Sequence, residues 1–197
     1  MATFEAFPQS DAMPELEAKL DDDYHIQDTL KFDRTVLTPS VVRYLLGQYD
    51  RCIRPQYDIP IPELSNQDAT LLKKLPDHPK FKILIACAIA AARESYRSPQ
   101  WKAMSQLCRD WANESINTII SSWDGESLTA ILLLLIYELA DSSRGVAWEL
   151  LDLAIRTCLQ LGWHRTNGTL ESGPVVYDSS DSSNKARLMS VLKSIEG

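Results

Sequence analysis

The stretch "GVAWELLDLAIRTCLQLGWHR", residues 145–165, decides the fold. Ala147, Leu150, Leu151, Ala154, Cys158 and Leu161 recur at helical spacing and form an inner stripe, with Glu149, Asp152, Arg156 and Gln160 opposite. Asp152 and Arg156 stand at the favourable i, i+4 separation. Gly162 supplies the left-handed residue that ends such a helix. Trp163, His164 and Arg165 follow at once. Either they close the helix end, with the two cations on its carbonyls, or they form a reactive cluster.

Outward from this helix the same grammar repeats. Upstream, "AILLLLIY" (130–137) is apolar all round and predicts a central helix over 127–140, capped by Asp124 or Ser127 and joined through the short turn "DSSRG". Thr38-Pro39 and Ser98-Pro99 are cap-and-proline starts. The first opens a helix with Val41, Val42, Leu45, Tyr49 and Cys52 on one face. The second opens one with Met104, Leu107, Cys108, Trp111, Ser115 and Ile119. After Pro79, the run from Phe81 to Ala92 predicts a buried, alanine-rich helix. A helix is also expected from Asp68 to before Pro76, while the prolines of "RPQYDIPIPEL" predict extended chain. Residues 166–184 read as a loop, and "KARLMSVLKSIEG" as a short helix with Leu188, Val191, Leu192 and Ile195 inward. The expected fold is all-α: one compact helical bundle over 36–197, preceded by a mobile acidic arm over 1–35 whose Phe4, Phe7 and Tyr24 can dock on the body.

Composition narrows function. A net charge of −7, with no basic run longer than Lys73-Lys74, argues against direct nucleic-acid binding. The apolar runs 83–92 and 130–137 are too short to span a bilayer, and the N-terminus has no secretory pattern, so an intracellular protein, cytoplasmic or nuclear, is expected. Cys52, Cys87, Cys108 and Cys158 are scattered without a CxxC pair, and each reads as a reduced, buried thiol. No metal site and no cofactor are expected. GxGxxG, P-loop, GxSxG and HExxH patterns do not occur.

The segment "SLTAILLLLIYELADSSRGVAWELLDLAIRTCLQLGWHR" resembles the central signature of the fungal-specific transcription factor domain, or middle homology region. The resemblance rests on Ala147, Trp148, Leu150, Ala154, Ile155, Arg156, Leu161, Gly162, His164 and Arg165, with Cys158 where alanine is usual. "YLLGQYDRCIRPQYDIP", "HPKFKILIACAIAAARES" and "ARLMSVLKSIE" extend it over about residues 36–196. The resemblance implies a regulatory or small-molecule-sensing protein. The six-cysteine zinc cluster usual in the family is absent from this sequence, so the regulator is expected to lack its own DNA-binding module and to act through a protein partner or as a homodimer.

A second reading puts a cofactor-independent isomerase or cyclase of fungal secondary metabolism on the same scaffold, acting on an apolar or aromatic ligand. His164 is then the general acid or base, Arg165 or Arg156 the oxyanion partner, and Tyr137 with Glu138 a second acid-base pair. Arg93, Glu94 and Tyr96 form another polar cluster at a helix exit, and Trp148 and Trp163 are candidates to line a pocket. Most of the five tryptophans are expected to pack in the core, and His25 and His78 to face solvent.

Overall fold

The computed structural model describes residues 33–62, 72, 74–141, 145–163 and 179–196. They form an all-α body with no strand among the described residues. A 3₁₀ turn, Arg34–Val36, leads into α1 (Pro39–Cys52), the single turn α2 (Arg54–Tyr57), α3 (Asp77–Glu94), α4 (Pro99–Ile120), α5 (Gly125–Ala140), α6 (Ala147–Gln160) and α7 (Ser179–Glu196).

Helix α3 is the first organiser. Every residue from Ile83 to Ala92 is buried, and its alanines let neighbouring helices approach closely. It packs on α4, α5 and α1. The Ser105 hydroxyl of α4 donates to the Ala88 carbonyl at 2.8 Å, spending a buried polar group on the joint. Helix α5 is the second organiser, buried on all sides from Ser127 to Glu138 and flanked by α3, α4, α6 and α7. Its start is a capping box: the Asp124 carboxylate accepts from the Ser127 N–H at 2.8 Å, and the Ser127 hydroxyl accepts from the Asp124 N–H at 3.3 Å. Burial alone would raise the Asp124 carboxyl. Hydrogen bonds from Ser127 and Ser122, with the charge of His78, outweigh it and hold the group below its usual value.

That balance has a sign. A carboxyl whose folded pKa is depressed stabilises the fold above its unfolded value, near 4, and loses that contribution as pH falls through the folded value. Asp124→Ala should therefore lower stability at neutral pH by about 1 kcal/mol. Below about pH 3 the difference should shrink, as read from urea unfolding at both pH values.

Several expectations need correction. The stretch from Arg54 is not extended throughout: Arg54–Tyr57 is a helical turn, because Pro55 in a first turn forfeits no hydrogen bond. Asp58 closes it in the left-handed region at φ 45°, and its carboxylate meets Arg187 Nε of α7 at 3.3 Å. Helix α3 begins at Asp77, ahead of Pro79, which its open first turn tolerates. Helix α7 begins at Ser179, within the expected loop, and buries Leu188, Val191 and Leu192 as expected. The expected Asp68 helix falls mostly outside the described residues, as do "DSSRG" between Asp141 and Gly145, His25 and the arm before Asp33. His78 is half-buried beside Asp124.

Cysteine burial splits. Cys87, Cys108 and Cys158 are buried, but Cys52 is exposed at the last turn of α1. Its position continues the spacing of the inner face, but at the junction with α2 the next residue, Ile53, takes the buried position instead. Burial pushes the Cys87 thiol well up and Cys108 up to about 12. A thiol reagent at neutral pH should modify one cysteine of the native chain rapidly and all four after denaturation, and Cys52→Ser should remove the fast phase.

Candidate functional site

The C-terminal end of α6 is built as a Schellman cap. The Trp163 N–H donates to the Cys158 carbonyl and the Gly162 N–H to the Leu159 carbonyl, both at 3.0 Å, with Gly162 at φ +67°. The cap turns the Trp163 ring onto Gly125, the first residue of α5. A methyl group on Gly125 would come within 3.3 Å of Trp163 Cη2. The end of α6 and the start of α5 are thus clamped together by an aromatic ring over a glycine. His164 and Arg165 lie outside the described residues.

The interior holds a second group. Tyr137 and Glu138, in the last turn of α5, are each 1% exposed. Arg109 of α4 is 5% exposed, with its guanidinium 5.6 Å from the Tyr137 ring centroid and hydrogen-bonded to Asn113 one turn on. Among the described residues Arg109 is the one buried cation and Glu138 the one buried carboxylate. A positive group over an aromatic face in a dry interior is stabilised by the ring quadrupole. Tyr137 and Glu138 are candidates from the sequence, and Arg109 is not among them. The signal was there: Arg109 stands four residues after Ser105 and three before Ala112, on the inner register of α4.

The third group is the turn between α3 and α4. Glu94 pairs with Arg97 at 2.9 Å, and Arg97 Nε donates to the Tyr96 hydroxyl at 2.9 Å. The Arg97 guanidinium is raised chiefly by that hydrogen bond and further by Glu94. Tyr44 of α1 stacks on Trp101 at 5.7 Å, and burial, then the Glu94 charge, raises its hydroxyl. Arg93 and Tyr96 face solvent.

The candidates therefore occupy separate places. Tyr137 and Arg109 meet inside; Arg93 and Tyr96 sit at the α3–α4 turn; Arg156 and Trp148 lie on the outer face of α6. Arg156 pairs with Asp152 at 2.7 Å, the expected i, i+4 bridge, and Trp148 is 81% exposed. Of the tryptophans, Trp101 and Trp111 are buried and Trp163 partly so, whereas Trp123 and Trp148 are exposed. Among the described residues no three histidine, cysteine or acidic side chains gather as metal ligands. No described helix is long and apolar enough to cross a membrane.

An apolar helix α5, packed on the alanine-rich α3 and followed by an amphipathic helix with a glycine cap, defines an all-α domain. Residues 55–189 match the family model of the fungal specific transcription factor domain, and the chain belongs to that family. No curated protein and no solved structure matches it.

Proposed function

We propose that this chain is a regulatory domain of fungal transcription that responds to a small apolar or aromatic effector, or to a protein partner, in the cytoplasm or nucleus. The family match over 55–189 carries the regulatory part. The net charge of −7 supports a domain that does not itself grip the phosphate backbone, since such grip scales with the cations it can place on phosphates. The sensing part is supported by Arg109, Tyr137 and Glu138, polar groups held within an otherwise apolar interior, where a few such groups orient an apolar ligand.

The test is a reporter assay with the full chain fused to an unrelated DNA-binding domain, alongside thermal melts with fractionated host extract. Altered reporter output supports regulation; output equal to the DNA-binding domain alone overturns it. An extract fraction that raises the melting temperature of the wild type, but not of Tyr137→Phe, supports sensing through the interior group; no stabilising fraction overturns that part.

A further inference from the structure

Helix α6 spends only part of its apolar surface on the core. Ala154, Thr157 and Cys158 are buried, and Leu150, Leu151, Leu153 and Ile155 are partly so. At 3.6 residues per turn, Trp148, Asp152, Ile155 and Leu159 fall on one strip of the outer side of the helix. Trp148 is 81% and Leu159 51% exposed, and Leu139, in the last turn of α5, is 52% exposed. Among the described residues, three of the five large exposed apolar side chains thus belong to the α5–α6 hairpin.

We infer that this strip is the contact between two copies of the chain, paired α6 to α6 in antiparallel fashion about a two-fold axis near Ala154. The order of side chains selects that arrangement. Asp152 and Arg156 stand two residues either side of Ala154, and Trp148 and Leu159 close the two ends. A two-fold axis there sets Asp152 against Arg156 of the second copy, and Trp148 against Leu159 of the second copy to within one residue. Both charge pairs become attractive, and each indole covers an aliphatic side chain. Parallel pairing would set each charge level with its own copy and bring no opposite charges together, so it lacks this complementarity. The intramolecular Asp152–Arg156 bridge, with side chains 58% and 68% exposed, then becomes half of a four-charge ring.

Area sets the strength. A tryptophan buries about 150–250 Å², and α6 is only about 21 Å long, so the contact lies at the small end of specific interfaces. The dimer is accordingly weak and reversible, with a dissociation constant on the order of micromolar.

The experiment is sedimentation equilibrium of the full chain over a concentration series reaching the millimolar range, with circular dichroism confirming that each variant folds. The mass should rise from 22.2 kDa to twice that value. Trp148→Ala should weaken pairing by about tenfold or more. Asp152→Arg and Arg156→Asp should each weaken it about tenfold, because each creates two like-charge contacts per dimer. The double reversal should restore the wild-type constant, and mixing the two single variants should yield a heterodimer. A chain that stays monomeric throughout overturns the inference, whether the strip then serves another protein or none. So does a dimer indifferent to Trp148→Ala, or a double reversal that fails to restore pairing.

Discussion

Arg109→Ala is expected to lower the unfolding free energy by about 3–5 kcal/mol, a large share of the roughly 5–15 kcal/mol that holds a domain of this size together. The guanidinium sits 5% exposed between α4 and α5, hydrogen-bonded to Asn113 and over the Tyr137 ring. Truncation removes both contacts and a long packed stem. It also leaves the Glu138 carboxylate as the buried charge of an interior that has lost its cation. Glu138→Ala should cost a comparable amount for the converse reason. The informative variant is the double replacement by Met at 109 and Leu at 138. It should cost less than the single replacements Arg109→Met and Glu138→Leu added together, because each single strands the other charge in the core and the double strands none. Urea titrations with unchanged slope measure the wild type and every variant. A double replacement equal to the sum would show that the two charges are independent.

Phe81→Ala is the second large effect, at about 3–5 kcal/mol. The ring is fully buried in the first turns of α3, so its removal leaves a cavity that the neighbouring side chains can fill only in part. Trp148→Ala removes a larger ring, yet should change monomer stability by no more than about 0.5 kcal/mol, because that ring is 81% exposed. Thermal or urea melts at low protein concentration, where monomer dominates, make the comparison. Equal losses at the two positions would mean that Trp148 is covered in the monomer.

The contrast between these two aromatics shows where sequence reading succeeds. Phe81 heads a run with almost no polar position, so every side of that helix must be covered, whatever covers it. Trp148 lies at the edge of an amphipathic stripe, where a rotation of one residue decides between core and solvent. Periodicity alone does not state how wide a face the neighbours cover. Cys52 shows the same limit: its spacing matches Val41, Val42, Leu45 and Tyr49, but Ile53, at the junction with α2, is buried in its place. Arg54–Tyr57 differs in kind: closely spaced prolines do not exclude a helical turn that carries its proline in the first turn.

What the sequence determined by itself is the local grammar. Thr38, Ser98, Asp124 and Gly162 were legible as helix boundaries because caps and left-handed glycines act within a few residues of backbone. The two helices that had to be central were legible because an all-apolar surface admits no exposed side, and the family was legible in the motif at 147–165. Only the tertiary structure decided that Arg109 meets Tyr137, that Trp163 covers Gly125, and that Trp148 and Leu159 are left in solvent. Those pairings join residues 28 or more positions apart. They depend on the rotation and offset of one packed helix against another, which no single helix encodes in its own pattern.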